Sequence, residues 1–327
     1  MASIKAQTTD LHNGIVAIDT EFVRPRNDAS HLIIEGSRAA FVDTGANDGV
    51  PLLLAALENR DIDVGDVDYV FLTHIHLDHA GGAGLLMQSL PNARCVIHPR
   101  GATHMIDPAK LIAGAAVVYG EENMHRLFGD IQPIDARRIE IAENEQWFEL
   151  NGRAVQAIHT EGHARHHYCL NDPQSKGVFT GDSFGISYRE LDTKTGAFIF
   201  WSATPVQFDP PEAHKAVDRI LDCGPEQVYL THFSRVGDPD RLARDLHECI
   251  DDFVIMAREQ ANAASRVEAL ERSMFEYLAN RLTDQGFAGD RGAMWATLRG
   301  DVYLNARGLD VWLQRSAGAG RAPTTEN

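Results

Sequence analysis

Within six positions the chain carries His74, His76, Asp78 and His79. Neutral imidazole and ionised carboxylate are the groups that zinc and similar divalent cations take as ligands. Four of them between an apolar run and a glycine pair are hard to explain by solvation alone. The run before them, Val67-Asp68-Tyr69-Val70-Phe71-Leu72, predicts a buried strand. The stretch after them, Gly81-Gly82-Ala83-Gly84-Leu85-Leu86-Met87, predicts a turn into a helix. In an extended backbone, residues two apart share a face, so His74 and His76 would project together as the strand ends. Asp78 and His79 fall at the turn, from which they can swing to a second centre.

Three more candidates share that position type. His163 follows the strand predicted over 154–159, with Gly162 permitting a tight turn. Asp182 ends a strand over 177–182, and His232 ends one over 227–232. If these strand ends lie on one edge of a sheet sandwich, five histidines and two aspartates converge. The elements that must position them read as follows. Residues 14–19, 30–35 and 39–45 alternate with turns as in an antiparallel meander. Pro51 opens an apolar-periodic helix. Further strands are predicted over 94–98, 138–141 and 168–171, and a helix over 211–221. Residues 100–130 read as mostly helical, broken at Asp107-Pro108, an excursion of the kind that can lie over a site.

From Arg241 the pattern changes. Val267, Leu270, Met274, Leu278 and Leu282 recur at helical spacing, as do Val302, Leu309 and Trp312. The expected division is a catalytic domain over 1–240, a helical extension over 241–316 and a loose tail over 317–327. A length of 327 residues suits one large domain with such an appendage. The net charge of −17 disfavours nucleic acid and anionic membrane as partners. The four cysteines are far apart and form no C-x-x-C pair, which predicts reduced structural thiols. The first residues lack the apolar core of a signal peptide, and no run reaches the length of a membrane span. A cytoplasmic location is the resulting expectation.

Taken together, H-x-H-x-D-H at 74–79, Gly162-His163, Gly181-Asp182 and Thr231-His232 resemble the metallo-β-lactamase superfamily, and Val42-Asp43-Thr44-Gly45 looks like its first motif. The motifs stand in family order across about residues 14–235. The resemblance implies an α/β (α+β) fold, an αββα sandwich with a dinuclear metal site at one edge. It implies that His74, His76 and His163 bind one ion, that Asp78, His79 and His232 bind the other, and that Asp182 bridges them. Asp43 would organise the ligands from behind. The ions would be two divalent metals, zinc first, with iron or manganese as alternatives. The implied reaction is hydrolysis by a metal-bridging hydroxide of an ester, thioester or lactone in a small-molecule substrate. An aspartate rather than a cysteine at 182 looks like the glyoxalase II and lactonase branch. The alternatives are an iron-dependent sulfur or oxygen oxidoreductase of the same fold and, on weaker grounds, a nuclease or phosphodiesterase. Beside the ligands, Asp78 could orient the nucleophile, His167 could stand next to the site, and Tyr188 could donate to a substrate carbonyl. The C-terminal helices, with Phe275, Trp295 and Trp312, would cover part of the pocket or form a homodimer interface.

Overall fold

The structure is a computed structural model that describes residues 5–319. The first sheet has its strands side by side in chain order: β1 (Thr8–Asp10), β2 (Ile15–Asp19), β3 (Ala29–Glu35), β4 (Arg38–Val42), β5 (Val67–Leu72), β6 (Arg94–Ile97) and β7 (Ile139–Ile141). The first four form an antiparallel meander, and β4 to β7 run parallel. Parallel neighbours need crossovers. These are α1 (Val50–Glu58), then the one-turn α2 (Leu77–Ala80) with α3 (Ala83–Ser89), then α4 (Pro99–Ile106), α5 (Ala109–Tyr119) and α6 (Glu121–Phe128). The second sheet holds β8 (Trp147–Leu150), β9 (Arg153–His159), β10 (Tyr168–Asp172), β11 (Gly177–Gly181), β12 (Gln227–Leu230) and β13 (Ser234–Gly237). Only its β11–β12 pair is parallel, and α7 (Pro210–Asp222) makes that crossover. Then come α8 (Pro239–Glu259), α9 (Arg266–Asp284) and α10 (Arg291–Ala319).

Strand alternation sorts the side chains into layers. Ile15, Ala17 and Phe71 point between the sheets, where they meet Phe148, Leu170, Phe179 and Tyr229. Their neighbours Val16, Ile18, Val70 and Leu72 point outward under Leu53, Leu57 and Leu86 of α1 and α3. On the far side, Val178, Val228 and Leu230 share one core with Leu246, Ile250, Leu278 and Leu298 of α8, α9 and α10. The result is the helix–sheet–sheet–helix stack that the motifs imply, with the C-terminal helices against the second sheet. Strands β1, β8 and β13, each four residues or fewer, are too short to stand out by periodicity. Helix α10 runs on to Ala319, into the stretch expected as a loose tail. Residues 320–327 of that tail lie outside those described. Cys95, Cys169, Cys223 and Cys249 are all free thiols. Among the described residues, no helix is long and apolar enough to cross a membrane.

Candidate metal centre

The parallel strands bring their C-terminal ends to one edge of the sandwich. Asp43, just past β4, ties them together from a left-handed backbone with φ 57°. Its Oδ1 accepts the Thr73 N–H at 2.8 Å, beyond β5. Its Oδ2 faces His79 Nδ1 at 2.8 Å and accepts the Thr231 hydroxyl, beyond β12, at 2.9 Å. One carboxylate thus fastens the ends of three strands from both sheets. Gly181 lets the next strand end come close, since a Cβ there would stand 2.6 Å from Thr73 Oγ1 and 2.7 Å from His167 Nε2.

These partners also fix which ring nitrogens carry protons. The Thr73 hydroxyl donates to Asp43 at 2.9 Å, so its oxygen accepts from His74 Nδ1 at 3.1 Å. His163 Nδ1 donates to the Ser202 carbonyl at 2.9 Å. His79 Nδ1 donates to Asp43, and His232 Nδ1 donates to the Asn27 carbonyl at 3.2 Å with Asp28 Oδ1 2.8 Å away. In all four residues Nδ1 is taken by these partners, and Nε2 is the atom aimed inward. His74 Nε2 and His163 Nε2 each meet His76 Nδ1 at 2.9 Å, and a proton on that atom could satisfy only one of them. His79 Nε2 and His232 Nε2 face Asp182 Oδ1 at 3.2 and 3.4 Å. They face Asp78 Oδ2 at 3.7 and 3.6 Å. His79 Nε2 and Asp182 Oδ1 are buried with no hydrogen-bond partner. Imidazole nitrogens and carboxylate oxygens gathered in this way are a donor set that suits cations.

Ligand atoms fall within 4.8 Å of one another in His74, His76 and His163, in Asp78, His79 and His232, and in His74, His79 and Asp182. The first two sets are the partition that the motifs imply. Asp182 stands between them, its Oδ1 on the His79 and His232 side and its Oδ2 3.5 Å from His163 Nε2. The electrostatics divide the same way. Burial first, then the neighbouring imidazoles, holds His74 and His76 well below the usual histidine range. Burial alone would lower His79 and His232 too. At His79, Asp182, Asp78 and Asp43 reverse the effect, and at His232 Asp28 and Asp182 lift the imidazole to about 10. The field at those two nitrogens therefore favours positive charge, whether proton or metal.

All seven expected ligands thus meet at one edge. The other candidates are placed differently. His167 is fully buried behind the centre. Its Nδ1 lies 2.9 Å from the Thr160 hydroxyl, and its Nε2 accepts the Asp182 N–H at 3.3 Å. Its ring stacks on His74 with 4.8 Å between centroids. It can position Asp182 and His74 but faces no open space. Tyr188 is buried, with its hydroxyl given to Asp301 Oδ1 at 3.2 Å and Arg24 over its ring. Asp78 is half-buried, its side chain 22% accessible, and His76 is half-buried too. Helices α5 and α6 form a roof, with Met124, Phe128 and Ile131 packed on Leu77, between two candidate ligands. Tyr119 of α5 lies in the field of Asp78, Asp28 and Asp182, and burial together with these carboxylates pushes its phenol pKa up.

Two residues outside the motifs hold ligands in place. Asp28 sits in an aperiodic loop, and nothing in its spacing marks it as the partner of His232. Ser202, besides receiving His163, donates its hydroxyl to Asp182 Oδ2 at 3.1 Å. It too stands in a stretch without a pattern.

Comparison with known proteins bears on the same residues. The chain is 26% identical over 212 residues to a beta-lactamase-like protein 2 homolog of Drosophila melanogaster, covering 64% of this chain and 60% of that protein. It is 28% identical over 158 residues to an atrochrysone carboxyl ACP thioesterase of Emericella nidulans, covering 47% and 39%. The chain thus spans less than two thirds of the length of either relative. Among solved structures it resembles ST1585, an archaeal metallo-beta-lactamase superfamily protein from Sulfolobus tokodaii. The TM-score is 0.62 at 20% identity, over 91% of this chain and 98% of that one, a likeness of fold. The metallo-beta-lactamase superfamily description matches residues 23–232, a span that runs from the loop bearing Asp28 to His232 itself. With the sandwich, the order of the motifs and this match in agreement, the chain belongs to the metallo-beta-lactamase superfamily.

Proposed function

We propose that the protein is a metal-dependent hydrolase that opens an ester, thioester or lactone carbonyl in a small-molecule substrate. The observation that carries this reading is the inward set of imidazole nitrogens arranged around Asp182, in which His79 Nε2 and Asp182 Oδ1 are buried with no hydrogen-bond partner. Five nitrogen and two oxygen donors suit two divalent cations, zinc first, with iron or manganese as alternatives. When bound, such ions supply a nucleophilic water at neutral pH and a Lewis acid for the oxyanion. The chain's own residues do the rest. Asp43, Asp28 and Ser202 orient the ligand side chains, and His167 holds the main chain at Asp182. Asp78, at the accessible side, can accept a proton from the attacking water and orient it. The roof of α5 and α6 keeps bulk water from the reacting carbonyl. The name of the Emericella nidulans relative favours a thioester within this class.

The test is a panel of esters, thioesters and lactones, assayed before and after chelation and again with Asp78→Asn. Hydrolysis should vanish on chelation, return with added metal, and fall by about 10²–10⁴-fold in the variant if Asp78 acts as the base. Turnover that survives both perturbations refutes the mechanism. Metal analysis of the protein as purified, together with oxygen uptake on persulfides, separates hydrolysis from iron-dependent redox chemistry. The expected homodimer would use the outward side of α10, where Trp295 is 44% and Tyr303 42% exposed, and light scattering tests it.

A further inference from the structure

We infer that α8 and α10 are part of the candidate centre, because they fix Ser202 and through it His163 and Asp182. The inference rests on the metal-site reading above and adds positioning residues from far along the chain. Ser202 lies, with Trp201, between two anchored peptide groups. On one side the Trp201 N–H points to Cys249 Sγ of α8 at 3.4 Å. On the other the Ala203 N–H donates to Asn305 Oδ1 of α10. Between them Ser202 uses both of its oxygens on candidate ligands, the carbonyl for His163 Nδ1 at 2.9 Å and the hydroxyl for Asp182 Oδ2 at 3.1 Å.

The grip of α10 is continuous along one face. Asp301 accepts from Tyr188, Asn305 from Ala203, and Trp312 packs on Phe208 at 6.3 Å. Arg315 donates to the Val206 carbonyl at 2.7 Å. Gly308 completes the stripe: a Cβ there would collide with the Ala203 carbonyl oxygen. Positions 301, 305, 308, 312 and 315 follow helical spacing, so they form one surface. That surface seats the loop between β11 and α7. Asn305, Trp201 and Ser202 are all fully buried, so solvent does not replace these partners. A helix needed only to cover the second sheet would have no reason to aim a buried amide at the peptide next to a ligand-holding serine. The loop also meets the other half of the centre, where the Ser187 N–H donates to the His232 carbonyl at 2.6 Å.

The experiment measures zinc affinity of the full chain by chelator competition, beside the melting temperature of the metal-free protein. Ser202→Ala should weaken zinc binding by about 10–100-fold, the scale for a lost ligand-orienting partner. Asn305→Ala should weaken it in the same direction. The double variant should lose less than the product of the two single losses, because Asn305 holds the main chain from which the Ser202 hydroxyl reaches Asp182. Cys249→Ala, a milder change, should give a smaller loss and carries the test if Asn305→Ala does not fold. Unchanged zinc affinity in the Asn305 or Cys249 variant, with only a lower melting temperature, shows the helices to be merely structural and overturns the inference. Absence of zinc binding by the unaltered chain overturns the metal-site reading and this inference together.

Discussion

Replacing Gly181 with alanine tests how tightly the centre is built. Gly181 has φ +47°, a region where a Cβ costs about 1–2 kcal/mol. The new methyl would also meet Thr73 Oγ1 at 2.6 Å and His167 Nε2 at 2.7 Å. Neither neighbour is free to yield. Thr73 is held between Asp43 and His74, and His167 between Thr160 and the Asp182 main chain. Overpacking of this kind costs about 1–3 kcal/mol, so the two effects together come to about 2–5 kcal/mol. The strain lies one residue before Asp182, so zinc affinity should fall by about 10–100-fold as well. Gly152 is the control. It has φ +91° and nothing within 4 Å of the place a methyl would take, so Gly152→Ala carries the backbone effect alone. Urea unfolding of the metal-free forms and chelator competition read the two quantities separately. If Gly181→Ala loses no more stability than Gly152→Ala and binds zinc as tightly as the unaltered chain, the close packing behind Asp182 is not what holds the centre.

Other perturbations reach different parts of the molecule. His31 is buried against Phe179 and Tyr229, and burial lowers its pKa to about 4. The unfolded chain binds that proton more tightly, so stability falls as pH drops from about 6.5 towards 4. The loss at pH 5 is roughly 2 kcal/mol, and a His31→Phe variant that keeps the same acid sensitivity refutes the assignment. Asp28→Asn should fold and should weaken zinc binding by about tenfold, since His232 loses its charged partner; unchanged affinity in chelator competition counts against that role. Tyr119→Phe should lower kcat/KM on thioesters about fivefold, the worth of one hydrogen bond of roughly 1 kcal/mol, with metal content unchanged. Identical kinetics would place its hydroxyl away from the substrate.

What the sequence reveals depends on how local the cause is. The 74–79 cluster is legible because strand, ligands and turn follow one another within a few residues. His163, Asp182 and His232 are legible because each ends a strand with its own apolar pattern. The excursion over 100–130 shows its helices and its break, but not that it lays Met124 and Phe128 on Leu77. Asp28, Ser202 and Asn305 leave no local trace. Their role comes from the loop or helix that tertiary packing sets beside them, and no spacing encodes it. Tyr188 illustrates the converse, since nearness to Asp182 in sequence suggests a substrate donor, whereas the fold turns its hydroxyl to Asp301.

The division of the candidate ligands between two sheets has a mechanical consequence. His74, His76, Asp78 and His79 follow a strand of the first sheet, while His163, Asp182 and His232 follow strands of the second. An ion shared between them would act as a removable cross-link, clasping two layers that also meet at that edge through apolar contact, the hydrogen bonds of Asp43 and the Tyr168 N–H on the Thr73 carbonyl. Its binding free energy would then appear as resistance of the sandwich to splaying, growing with the logarithm of free metal concentration. Heat or force applied to the protein would report how full the clasp is, before any substrate is added.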